Sequence, residues 1–259
     1  MMKNRDAREY LRRFKNTLLR RYIVRDELSK GGDDVTFFTY DRKSKKSKLV
    51  RFFYFADTPN ITTQKILDDM KHFRIKEISQ HTNILTINEI NVFTDVIGFD
   101  YIALDVDYFD CISLEKRTLK YIPMLERYRI IYCVLSALIH CHEYGLFHQN
   151  ISPHNIFVSE NEVKLSEPSS WAIPLHRCYS CYNEFYAPES RPGYIANAQT
   201  DIYSVGKVFK YLNSINGDSN SITDKIIKKA TALNADERFK SADEFKQEIY
   251  KLMEVSRYL

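Results

Sequence analysis

His148-Gln149-Asn150-Ile151-Ser152-Pro153-His154-Asn155 is the stretch on which the reading of this chain turns. Before it runs an amphipathic segment, Leu125–Tyr144, with Tyr128, Ile131, Tyr132, Leu135, Leu138, Ile139 and His142 on one helical face. After it, Val163-Lys164-Leu165-Ser166 leads into Glu167-Pro168-Ser169, and Tyr186-Ala187-Pro188-Glu189 follows farther on. The loop gathers polar side chains behind a helix with one apolar face. Its central residue, Asn150, carries an amide that is not a useful base near neutral pH. Glu167 offers a carboxylate, but Pro168 beside it fixes φ and removes a backbone donor.

The chain has 259 residues, 44% hydrophobic and 14% aromatic, enough for one domain with a large core and too apolar for disorder. No apolar run is long enough to span a bilayer. The segment Lys3–Arg13 is charged and lacks the apolar stretch of a signal peptide, so a cytoplasmic location is expected. Five cysteines, Cys111, Cys133, Cys141, Cys178 and Cys181, form an odd set without a secreted-domain spacing, which points to reduced thiols. The net charge of +4 is local: Lys and Arg crowd residues 1–21 and the run Arg42–Lys48. Such patches can hold nucleic acid or an acidic membrane, but a solvated helix face and a solvated hairpin loop are the favoured reading.

Residues 3–21 read as a helix with Leu11, Phe14 and Leu18 on one face. From Tyr22 to Phe55, aromatic and β-branched runs broken by Gly31-Gly32 and by the charged loop at 42–48 predict three antiparallel strands. A helix is expected over Thr62–Gln80, then strands around Ile84–Phe93 and Gly98–Val106. Helical patterns follow at 125–144, 200–213, 221–232 and 241–256. Strands first and helices after, without βαβ alternation, predict an α+β fold in two lobes. The expected division is a basic helix over 1–21, a β-rich lobe over 22–106 and a helical lobe over 107–259.

The layout and the motifs resemble the eukaryotic-type protein-kinase family in its bacterial serine/threonine style, over roughly residues 20–255. His148 to Asn155 has the spacing of the catalytic loop H-R-D-L-x-x-x-N. Tyr186-Ala187-Pro188-Glu189 reproduces the A-P-E that closes the activation segment. Asp201-Ile202-Tyr203-Ser204-Val205-Gly206 resembles D-x-W-S-x-G, whose aspartate anchors the catalytic-loop backbone. Asp236-Glu237-Arg238-Phe239 resembles the late arginine motif, and the resemblance implies that Arg238 pairs with Glu189. Several motifs in one order at workable spacing carry a specificity that none has alone.

The parts that do chemistry depart from that family. Where the resemblance implies a catalytic aspartate stands Asn150, and where it implies a phosphate-contacting lysine stands Ser152. Gln149 replaces the arginine that senses a phosphorylated activation loop. Asn155 and Glu167 are the remaining candidates for magnesium, and ordinary polar loop residues are the favoured reading of both. In Leu28-Ser29-Lys30-Gly31-Gly32-Asp33-Asp34-Val35-Thr36, Ser29 and Asp34 take the first and third glycine positions of the phosphate loop, and only Gly31 remains. Carboxylates at Asp33 and Asp34 repel phosphates that bare amides would cradle. The glycine pair is more simply a hairpin turn. In Lys48-Leu49-Val50-Arg51-Phe52, no lysine falls where V-A-I-K needs it, and Arg51 is the nearest basic side chain. Counting back from His81 places His72 where its glutamate partner belongs, while a gap would promote Asp68, Asp69 or Glu77.

Cys178-Tyr179-Ser180-Cys181 with His176 gives half of a zinc-ribbon spacing without a second half, so free thiols are expected. His140 and His142 close a helix and do not have the look of metal ligands. The 18 Tyr and 16 Phe read as core, since no RNA-binding signature accompanies them. A kinase-like domain without phosphoryl transfer, a pseudokinase acting on a protein partner such as an active kinase, is the leading expectation. It needs no cofactor, although weak ATP or magnesium binding stays open. A residual nucleotide-using phosphotransferase and a binder of nucleic acid or acidic membrane are the alternatives.

Overall fold

β1 (Tyr22–Lys30), β2 (Asp34–Asp41) and β3 (Lys46–Tyr54) form consecutive antiparallel hairpins, as the aromatic and β-branched runs predict. They belong to a computed structural model that describes residues 21–30, 34–54, 63–72, 74–94, 100–118, 121–168, 184–190, 194–216 and 220–256. All of the helix expected over 3–21 except Arg21 lies outside the described residues, as do the pair Gly31-Gly32, His176, Cys178 and Cys181.

With β4 (Ile87–Thr94) and β5 (Asp100–Asp107), the hairpins make a five-stranded sheet in the order β1-β2-β3-β5-β4. Alternation sets its two faces. Tyr22, Val35, Phe37, Val50, Phe52 and Ala103 cluster on one. Thr36, Leu49, Arg51 and Leu104 therefore share the other, and all four are buried.

The β2–β3 turn is built by Asp41. Its carboxylate accepts from the Lys43 and Ser44 backbone amides at 3.0 and 3.3 Å and from the Ser44 hydroxyl at 2.8 Å. The turn occupies only Arg42–Lys45, with Lys45 left-handed at φ 56°. Lys46 to Lys48, expected in the loop, are instead the first residues of β3. Lys48 lies 3.0 Å from Asp107 and 3.3 Å from Asp105 across the sheet. Arg21 likewise meets Asp41 at 3.2 Å and Glu89 at 2.8 Å. Part of the basic surplus is thus neutralised within the fold.

The helix expected over 62–80 is two pieces, α1 (Thr63–His72) and α2 (Ile75–Ile78). Arg74 between them sits at φ 52°, ψ 41°, which interrupts the helical ladder. Periodicity could not show this break, because no glycine or proline marks it. The strand expected from Ile84 begins at Ile87, and Ile84 bridges to Leu165 in parallel.

The described chain divides into two units, residues up to 80 with 85–110, and residues 81–84 with 111 onward. The second unit opens with β6 (Ile112–Ser113) and α3 (Leu114–Arg117), and continues into α4 (Met124–Glu143). A small sheet orders β6-β7-β8, with β7 at Ile156–Val158 and β8 at Val163–Leu165. α5 (Ala198–Asn216), α6 (Ser221–Ala230) and α7 (Ala242–Ser256) complete it.

α4 is more enclosed than its pattern suggests. Tyr128, Ile131, Leu135 and Leu138 are buried as expected, while Tyr132, Ile139 and His142 are only half-buried. Arg127, Ile130, Val134, Ala137 and Cys141 are buried as well. The physical reason is that α7, α5 and β8 all pack against this helix. Its polar-looking Arg127 donates to Asn213 on α5 at 2.7 Å, which lets a guanidinium lie inside.

Candidate functional site

The loop His148–Asn155 is held by the first turn of α5. Asp201, fully buried, accepts from the backbone amides of His148 and Gln149, each at 2.7 Å. His142, at the end of α4, gives its Nε2–H to the same carboxylate at 2.9 Å. Gln149 adopts φ 59°, a conformation costly for a side-chain-bearing residue, and the two amide bonds to Asp201 hold the backbone that leads into it. The anchoring role expected of Asp201 thus has a geometry: one carboxylate satisfies a loop backbone and a helix-end imidazole together.

His148 lies buried beneath the loop. Its Nε2 is 3.1 Å from the Ser166 carbonyl, which can only accept, so Nε2 carries the proton. Nδ1 is then free to accept from the Asn150 amide at 3.3 Å. Asn155 gives its side-chain amide to the Asn150 carbonyl at 2.9 Å, and its own carbonyl accepts from Ser166 N at 2.8 Å. These bonds tie the start of the loop, its end and the strand exit at β8 into one frame.

Into that frame the expected side chains are placed as follows. Ser152, Asn155 and Glu167 are buried, with Glu167 fully enclosed. Gln149 and Asn150 are half-buried. Among the described residues, no three of His, Cys, Asp and Glu gather closely enough to hold a metal ion. The oxygen of the Asn150 side chain accepts a hydrogen bond from the Tyr186 hydroxyl at 3.3 Å. Tyr186 escaped the sequence reading. Its only signal there is its position directly before Ala187-Pro188-Glu189.

The other candidates lie in the first unit. Arg51 is fully buried on β3 opposite Thr36, to whose hydroxyl it donates at 2.8 Å. Ser29 pairs with Thr36 and Asp34 with Phe53, at the ends of β1 and β2 that flank Gly31. His72 is exposed on the last turn of α1. Asp68 is exposed beside Lys71, and Glu77 pairs with Arg74.

Glu189 and Arg238 form a bidentate pair at 2.6 and 2.9 Å. Arg238 also donates to the carbonyls of Ala232, Leu233 and Gln199 at 2.8, 3.2 and 2.9 Å. Its five N–H groups are all used, and its side chain is fully buried. Burial pushes the Glu189 carboxyl up, but the guanidinium outweighs it and holds the group below the ordinary carboxylate range.

The profile of the protein kinase domain family matches residues 37–256. This chain belongs to the protein kinase family. A probable serine/threonine-protein kinase of Dictyostelium discoideum is 28% identical over 163 residues, 59% of this chain and 31% of that protein. The probable serine/threonine-protein kinase PknB of Lactococcus lactis is 26% identical over 151 residues, 52% of this chain and 22% of that one. The chain therefore spans a third or less of the length of these two relatives. The PknI kinase domain of Mycobacterium tuberculosis superposes with a TM-score of 0.64 at 16% identity, over 89% of this chain and 94% of that one. That likeness establishes the kinase fold: an antiparallel sheet unit and a helical unit. No helix among the described residues is long and apolar enough to cross a membrane.

Proposed function

We propose that this kinase-family domain works by binding a protein partner, an active kinase among the candidates, and does not transfer phosphate. The observation that carries the proposal is the contrast at one loop. Asp201 still braces the backbone of His148 and Gln149, yet the residue presented on that brace is Asn150. An amide oxygen can accept a hydroxyl's hydrogen bond, but it cannot take the proton. A positioned general base typically contributes roughly 10²–10⁴-fold in rate. Ser152 offers no cation to a transferred phosphate, and Glu167-Pro168-Ser169 alters the metal-binding triplet. Under this reading Asn155 and Glu167 act as structural residues, no cofactor is required, and the domain works in the cytoplasm.

The test is phosphotransfer by the purified chain, with magnesium or manganese, on itself and on generic substrates. Background rates are expected. Activity above background that disappears in Glu167→Ala would sink the proposal.

One observation favours a second reading, a nucleotide-using enzyme. Arg51 stands fully buried on β3, the strand on which the family keeps its ATP-binding lysine. A nucleotide bound only by the folded state must raise the melting temperature, so a thermal shift with ATP and magnesium separates the readings. The binder of nucleic acid or membrane has less support, since Arg21 and Lys48 are spent on carboxylates within the sheet.

A further inference from the structure

We infer that Tyr186 closes the catalytic-type loop from within, holding its phenol at the place on Asn150 where an incoming hydroxyl would dock. This rests on the proposed function for what the loop is, and adds a physical block to the missing base.

Geometry carries the inference. The Tyr186 hydroxyl donates to the side-chain oxygen of Asn150 at 3.3 Å. That is long for a hydroxyl donor, so this bond alone does not hold the ring. The backbone on either side does. Phe185, immediately before, is buried and meets the Tyr211 ring edge-on, with centroids 5.8 Å apart and planes at 86°. Ala187, immediately after, is buried, and its carbonyl accepts from Ser190 N at 2.9 Å. Two residues farther, Glu189 is clamped by both arms of Arg238. Tyr186 lies between these anchors, which fix the backbone from which its ring projects.

Asn150 is equally fixed. Its backbone amide is bound to His148 and its backbone carbonyl to Asn155, which fix the point from which its side chain projects. The phenol meets it there. An amide takes no proton from the phenol, so the contact is a neutral hydrogen bond with no chemistry to follow. A hydroxyl from a peptide or a small molecule reaches Asn150 only after the Tyr186 ring is displaced. A partner that pries this segment from α5 would expose the loop, and one that reads its closed form would bind against it.

Access can be measured without any phosphotransfer. In the full chain, Asn150→Cys places a thiol under the ring, and iodoacetamide labelling at fixed pH is followed on the peptide containing position 150. Adding Tyr186→Ala is expected to speed labelling at least about tenfold, the scale of a modest local opening free energy. Tyr186→Phe keeps the ring and is expected to keep the protection. The buried thiol of Cys141 reports global opening in the same digest. Equal rates with Tyr186 and Tyr186→Ala overturn the inference. So does a rise at position 150 matched by one at Cys141, or fast labelling in Tyr186→Phe. Detection of phosphotransfer would instead sink the proposed function and leave the labelling result standing.

Discussion

At the scale of single residues, the proposed function rests on a loop whose backbone is braced while its central side chain is an amide. Arg238 spends all five N–H groups on backbone carbonyls and a partner carboxylate, and Asp201 accepts from two backbone amides and the His142 imidazole, whereas Asn150 offers only an amide. Under the proposed function, restoring Asn150→Asp alone is therefore expected to leave phosphotransfer at background, because the residues that the resemblance assigns to ATP positioning depart from the family as well. The Tyr186 ring would remain over the restored carboxylate. Robust activity from that single change, in the same assay as the parent, would refute both arguments. Gly206 supplies a test of packing without charge. A Cβ there would sit 2.7 Å from the Ala230 Cβ and 2.8 Å from Thr231 Cγ2, closer than carbon atoms approach. Gly206→Ala must push α5 and α6 apart, at a cost of about 1–3 kcal/mol. A fall of several degrees in Tm is expected, and an unchanged Tm would mean that the helices separate freely.

At the scale of elements, the segment 81–84 has the most to say. Its chain neighbours belong to the sheet unit, yet it is built into the helical one. Leu165 N donates to the Asn83 carbonyl at 2.8 Å, and the Asn83 side chain donates to the Val163 carbonyl at 2.9 Å. Lys164 reaches the Thr82 carbonyl at 3.1 Å. His81 starts the segment, stacked on His140 at 4.8 Å, and its Nδ1 accepts from Asn83 N at 3.2 Å. A proton on Nδ1 would break that bond. Burial pushes the His81 imidazole below its ordinary range, and His140, Lys246 and Lys164 push it further, against Glu143. The folded state thus binds this proton less well than the unfolded chain. The stability that follows is complete above the ordinary histidine value, and falls away as pH drops below it. Between about pH 7 and 5, Tm is expected to fall less steeply in His81→Asn, which keeps an acceptor but does not titrate there. Parallel Tm-against-pH curves for the two proteins would remove His81 from the account.

For the molecule as a whole, much of the architecture was legible because it follows from period and order. Alternating aromatic runs marked β1 to β3, and the long apolar helix marked α4, to within a residue or two at each end of that helix. What stayed hidden depended on tertiary contact. The break at Arg74 has no breaker residue, the second buried face of α4 requires three partners, and Tyr186 meets Asn150 across a distance that no local pattern spans. The pairing of Glu189 with Arg238 was legible only through resemblance, since nothing in either residue's neighbours names the other. That pair also gives the clearest measure of how the helical unit holds together. Removing one partner of a fully buried pair typically costs about 3–5 kcal/mol, and the half-buried Glu189 places this pair toward the lower end. Here Arg238→Ala strands the Glu189 carboxylate and three backbone carbonyls at once. Arg238→Lys keeps the charge but cannot supply the fork or the five donors, so it should recover only a small part of the loss. The comparison that isolates the effect is Arg42→Ala in the exposed β2–β3 turn, where a surface substitution is expected to fall within about 0.5 kcal/mol of neutral. Melting followed by far-ultraviolet circular dichroism should therefore rank the parent and Arg42→Ala together, Arg238→Lys well below them, and Arg238→Ala lowest. A small and equal effect from Arg42→Ala and Arg238→Ala would mean that the segment around Glu189 is held by its apolar neighbours, Phe185 and Ala187, and that the ion pair is incidental.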